Sequence, residues 1–119
     1  MDCDNLKRRT KKFALDVIKL VEGLPRDDVS RVLGRQLLRA GTSVAANYRA
    51  VCRSKSTADF ISKFGTVEEE ADESGFWMEL LVEAGKLVAK VASPLIHESS
   101  ELTAIAVSSI NTARKRGRQ

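Results

Sequence analysis

"VEEEADESGFWMELLVEAG", Val67 to Gly85, sets seven carboxylates among bulky apolar side chains in a 119-residue chain of formal net charge +4. At about 100° per residue, Val67, Ala71, Met78, Val82 and Gly85 fall in one stripe, which Phe60 and Phe64 extend upstream. Glu68, Asp72, Glu79 and Glu83 line one edge of that helix, with Glu69 and Glu73 beside them. Phe76, Trp77 and Leu80 lie off the stripe by a quarter turn or more. A helix that is apolar on two sides has two neighbours, so this one is expected to face a core and an oligomer interface.

Three more helical segments flank it, and none alternates with the period of a strand. In the first, residues 5–23, Leu6, Phe13, Val17, Leu20 and Leu24 repeat on one face. "GLPRDD" breaks the chain, and Asp27 or Asp28 can cap the second helix, residues 28–53. That helix carries Leu33, Leu37, Val44, Tyr48 and Val51 inward. Ala40, Gly41, Ser43, Ala45 and Ala46 keep its surface thin enough for close approach. Ser56 followed by Asp59 is a capping-box pattern that opens the third helix, residues 57–89. Ser93 before Pro94 predicts the start of the fourth, residues 94–115, with Leu95, Leu102, Ala106, Ser109 and Ala113 inward and Ile105 and Ile110 flanking. The expected fold is all-α: one domain, residues 1–119, forming an antiparallel up-down-up-down four-helix bundle.

No apolar run reaches the roughly 18 residues of a membrane span, and the basic, interrupted start does not resemble an export signal. The expected compartment is the cytoplasm. Cys3 and Cys52 lack a Cys-x-x-Cys or Cys/His pattern, so Cys52 reads as a small core-facing residue and Cys3 as a terminal bystander.

A carboxylate-bridged metal pair would need Glu-x-x-His on two helices, and the one histidine, His97, has Pro94 three residues before it. Nothing supplies a nucleophile, so no catalytic residue, metal or cofactor is expected and the chain is not read as an enzyme. The acids have a better partner in the second helix. Arg31, Arg35, Arg39, Thr42, Ala46, Arg49 and Arg53 share a stripe there within about 80°. A hairpin turning near Lys55 brings Arg39 level with Asp72 and Glu73, and Arg31 level with Glu79. Arg31, Arg35, Arg39, Phe76, Trp77, Glu79 and Leu80 are the expected oligomer interface.

The bundle also predicts a basic pole, because "KRRTKK", "RAVCRSK" and "RKRGR" would share one end. It gathers Lys7, Arg8, Arg9, Lys11, Lys12, Arg49, Arg53, Lys55, Arg114, Lys115, Arg116 and Arg118, while Glu79, Glu83, Glu98 and Glu101 fall toward the other end. Such density is the footprint of phosphate binding. No aromatic residue interleaves with these charges, so contacts to backbone and shape are expected rather than base stacking. His97 reads as a surface residue and Asn47 as a structural hydrogen-bonding residue. Close packing is the expected reason for Gly65 and Gly75.

"GRQLLRAGTSVAANYRA" (Gly34–Ala50), "ADFISKFGTVEEEADESGFWMELLVEAG" (Ala58–Gly85), "FALDVIKLVEGLP" and "SSINTAR" together span nearly the whole chain. They resemble the bacterial four-helix-bundle proteins named after reading frames inside intervening sequences of large-subunit ribosomal RNA genes. The resemblance implies a cytosolic bundle assembling into a ring, commonly a pentamer, with no enzymatic activity. It also implies a larger residue where Gly75 stands. A similar protein is the accessory subunit of diversity-generating retroelements, whose basic barrel engages nucleic acid and a reverse transcriptase. The expected function is therefore a non-enzymatic homo-oligomer that binds structured RNA or DNA through its basic pole. The alternative is a scaffold that binds a protein partner; no membrane association is expected.

Overall fold

A computed structural model describes residues 3–117. The described residues form four helices and no strand: α1 (Cys3–Glu22), α2 (Asp28–Val51), α3 (Thr57–Glu83) and α4 (Ala89–Gly117). They pack side by side as a four-helix bundle. α2 lies between α1 and α3, α3 between α2 and α4, and the contact between α1 and α4 is the thinnest.

The starts of α2 and α3 each have a local cause. The Asp27 carboxylate accepts the Ser30 backbone N–H at 2.8 Å, so one of the four unpaired donors of α2 is satisfied. At α3, Ser56 Oγ accepts the Asp59 N–H at 3.0 Å, while the Asp59 carboxylate reaches back to the Lys55 N–H at 3.0 Å. The predicted boxlike cap is therefore present, displaced by one residue on its return bond.

The boundary between α3 and α4 differs from the sequence expectation. α3 stops at Glu83 because Gly85 adopts φ +76°, a left-handed conformation open to glycine at little steric cost. The Gly85 N–H donates to the Val82 carbonyl at 3.0 Å and the Lys86 N–H to Leu81 at 2.9 Å, which closes the helix with its last carbonyls paired. Ser93 is no cap: α4 is already under way, and the Ser93 hydroxyl donates back to the Ala89 carbonyl at 2.8 Å. Pro94 sits inside α4, where it withholds the N–H that Lys90 would otherwise accept.

The core runs the length of the bundle through Phe13, Val17, Leu37, Val44, Val67, Met78 and Leu81, all with at most 2% of their surface exposed. Small residues set how closely the helices meet. A Cβ on Gly41 would lie 2.8 Å from both Val17 methyls, and one on Gly75 would lie 2.8 Å from Ser99 Oγ. Gly75 thus has the packing role expected of it. Gly65 does not, since a Cβ there would meet nothing within 4 Å.

Candidate nucleic-acid interface

The first turn of α1 meets the end of α2 at Cys3 and Cys52, and the end of α4 lies against the start of α3 at Gly117 and Thr57. Three basic segments therefore reach one end of the molecule, but they are staggered. α4 runs on from Glu101 to Gly117, well past the start of α1, and carries Arg114, Lys115 and Arg116 beside α3.

A cationic groove of about 430 Å³ lies between α1 and α2. Lys7, Arg8 and Lys11 border it from one face of α1, and Arg49 from the last turn of α2. Its floor is Ala45 and Ala46, whose short side chains leave the space open; among the described residues, the one acid lining it is Asp4. Arg8, Lys11 and Arg49 are exposed and Lys7 half-buried. Arg53 and Lys55 are exposed on the turn that follows α2, and Arg118 lies outside the described residues.

Two predicted members of the pole are already occupied. Arg9 donates from Nε and Nη2 to the two oxygens of Glu98, each at 2.8 Å, and from Nη2 to Glu101 at 2.7 Å. Hydrogen bonding to Glu98 is the largest cause holding this guanidinium protonated even more firmly than usual. Glu98 and Glu101 were expected at the far end; the overhang of α4 puts them next to Arg9 instead. Lys12 pairs with Asp16 at 2.7 Å, and that hydrogen bond raises its affinity for the proton.

Of the expected acid–arginine contacts between α3 and α2, the one at Arg39 and Glu73 is present. Arg39 contacts Glu73 at 2.5 Å and Glu70 at 3.2 Å. Glu73 is one of the two expected partners, while Glu70, one helical turn before it, takes the place expected for Asp72. The Trp77 indole N–H also donates to Glu73, at 3.2 Å, and Phe76 stands edge-on to Trp77 with centroids 5.0 Å apart and 52% of its surface exposed. Arg31 does not reach Glu79; it pairs with Asp28 in its own helix at 2.9 Å. Arg35 and Glu79 are exposed and Leu80 is half-buried. His97 is a surface residue 3.2 Å from Glu101, and Asn47 donates to the Ser43 carbonyl at 2.8 Å.

The cysteines correct the sequence reading outright. Cys3 and Cys52 are disulfide-bonded, with Cα atoms 6.1 Å apart. The signal was available: a residue opening the first helix and one closing the second come together in the bundle the sequence predicted. Among the described residues no three His, Cys, Asp or Glu side chains are grouped to hold a metal ion, and no helix is long and apolar enough to cross a membrane.

A four-helix bundle with a staggered basic end, a cationic α1–α2 groove and an acid–arginine seam is the class of protein these features define. Residues 5–108 match the family described as 23S rRNA-intervening sequence protein, and the chain belongs to that family. It is similar to a crystal structure of a protein of unknown function from the S23 ribosomal protein family of Bacteroides thetaiotaomicron. The two share 30% identity and a TM-score of 0.84, with 93% of this chain and 99% of that one covered. Comparison with curated proteins gave no match.

Proposed function

We propose that this protein is a non-enzymatic, homo-oligomeric bundle that binds structured RNA or duplex DNA through phosphates, with the α1–α2 groove as its principal contact. The observation that carries the reading is the convergence of Lys7, Arg8, Lys11 and Arg49 on a floor of two alanines. A narrow cationic trough with a small-residue floor suits a phosphate backbone, and it offers no aromatic face for a base. Arg53, Lys55, Arg114, Lys115 and Arg116 extend the field along the same end, where a long polyanion can follow it.

The topology belonging to this reading is up-down-up-down. Contacts recede in step from each turn, from Leu24 with Gly34 to Val17 with Gly41, and from Tyr48 with Phe64 to Arg39 with Glu73. Phe76 and Trp77, with Leu80, Arg31, Arg35, Arg39 and Glu79 nearby, form the subunit contact of a ring, for which a pentamer is the working stoichiometry. The exposed Phe76, stacked edge-on against Trp77, supports this, because aromatic residues are enriched in the cores of protein interfaces. It equally favours a second reading, a scaffold whose outer face takes a different protein.

The test is binding of the purified protein to a structured RNA and a duplex DNA across a salt series. A parallel variant has Lys7, Arg8, Lys11 and Arg49 neutralised. Tight binding that weakens steeply with salt and is lost in the variant supports the reading. No binding at low salt by a folded, assembled protein overturns it in favour of the protein scaffold.

A further inference from the structure

We propose that Cys3 and Cys52 form a site of reversible thiol–disulfide exchange, with a low-molecular-weight disulfide as co-reactant, that fastens and releases the first turns of α1. The inference stands independently of any nucleic-acid role.

Geometry gives the pair one possible outcome. The chain has two cysteines, and their Cα separation of 6.1 Å lies within the span a disulfide bridges without backbone movement. Cys3 is exposed and Cys52 half-buried, so a small disulfide can reach the site.

Position makes the bond a fastening rather than a core staple. Leu6 is the first residue of α1 in the core, at 5% exposure, so the bond holds the turn that precedes the core. Beside that turn lies a cavity of about 700 Å³, lined by Cys3, Tyr48, Phe60, Phe64, Ser109 and Arg116 among others. The first turn of α1 therefore faces open space on one side, and with the bond open it has room to move. Lys7 and Arg8 follow in the next turn, so its order bears directly on the cationic groove.

The exchange balances as follows. One protein thiolate attacks a sulfur of the small disulfide, whose S–S bond breaks and releases one small thiol. The second protein thiolate then attacks the mixed disulfide, forming Cys3–Cys52 and releasing the second small thiol. Two protein thiols lose two electrons and two protons, and the small disulfide gains both. In a reducing compartment the pair rests as dithiol until such an oxidant accumulates.

The test uses the full-length protein equilibrated in glutathione buffers of varied reduced-to-oxidised ratio, with thiol content read by alkylation and mass spectrometry. Amide hydrogen exchange is followed at Lys7 to Thr10, whose N–H groups bond back onto the first turn. The expected result is interconversion of the folded protein between the two forms, with exchange at those amides at least tenfold faster in the reduced form and helix content unchanged. The Cys3→Ser/Cys52→Ser variant should exchange at the reduced rate in every buffer. Should that variant fail to fold, wild-type protein reduced and alkylated under native conditions supplies the same state. Thiols that stay unpaired in excess oxidised glutathione overturn the proposal. So does a bond that opens only in denaturant, or exchange that ignores the redox state. No nucleic acid enters the assay, so its failure is separate from failure of the binding reading.

Discussion

Arg39 on α2 and Trp77 on α3 are joined through one carboxylate: Glu73 accepts from the Arg39 guanidinium at 2.5 Å and from the indole N–H at 3.2 Å. Glu70 takes the other side of the same guanidinium. The consequence is optical. Replacing Arg39 by Ala frees Glu73 to rotate into water, and the indole loses its fixed partner. Trp77 is the only tryptophan, so its emission reports this seam alone. Arg39→Ala and Glu73→Gln should each shift Trp77 emission to longer wavelength, and the double variant should shift it no further than the larger single effect. Additive shifts would mean that the two contacts are independent.

Arg9 and Arg49 lie at the same end of the bundle and should behave oppositely. Arg9 is spent on Glu98 and Glu101, whereas Arg49 faces the groove. Arg9→Ala should cost at most about 1 kcal/mol of stability, as half-exposed pairs do, and leave nucleic-acid affinity nearly unchanged. Arg49→Ala should leave stability nearly unchanged and reduce the slope of log affinity against log salt by about one. Urea unfolding and a salt series measure the two sides. A loss of affinity in Arg9→Ala equal to that in Arg49→Ala would move the contact from the groove to the whole end.

The contrast between Arg9 and Arg49 also marks the limit of what was legible in the sequence. The helices were readable because Leu6, Phe13 and Val17, like Phe64, Val67, Ala71 and Met78, repeat at helical spacing and are all buried. Glu73 was found as the partner of Arg39 because α2 and α3 are consecutive helices joined by a short turn, which constrains their register even at mid-helix. Arg9 was misread because α1 and α4 are separated by the whole chain. Their stagger depends on where α4 starts, and a proline preceded by serine looked like that start. Gly85 decides the matter through a positive φ, which composition does not reveal. The cysteine pair was missed because a spacing of 49 residues carries no motif, only a topology.

Two glycines in adjacent helices should respond to alanine with opposite sign. Gly65 has no atom within 4 Å of its missing Cβ, so Gly65→Ala should raise stability by up to about 1 kcal/mol through helix propensity. Gly41→Ala would gain the same propensity but place a methyl 2.8 Å from both methyls of Val17. Overpacking of this kind costs about 1–3 kcal/mol, which exceeds the gain, so the net effect should be destabilising. Combining Gly41→Ala with Val17→Ala should recover part of the loss. Chemical denaturation of the three variants checks the pattern, and a stabilised Gly41→Ala would mean that α1 and α2 can separate at no cost.

The cap of α2 predicts an acid-sensitive step. The Asp27 carboxyl is held below its ordinary value, first by the Ser30 backbone N–H, then by the Ser30 hydroxyl and Lys86. Asp59 is held low as well, first by Lys63 and then by the Lys55 N–H. A carboxyl with a depressed folded-state value binds its proton more readily in the unfolded chain. Its contribution is therefore complete above the unfolded value, near 4, and is lost as pH falls through the lower folded value. Stability should stay level from neutrality down to about pH 5 and decline below about pH 4. Asp27→Asn keeps a cap oxygen for Ser30 but cannot titrate, so its decline should be shallower than that of the wild type. Thermal unfolding between pH 2.5 and 7 measures it, and parallel curves for the two proteins would remove Asp27 from the acid response.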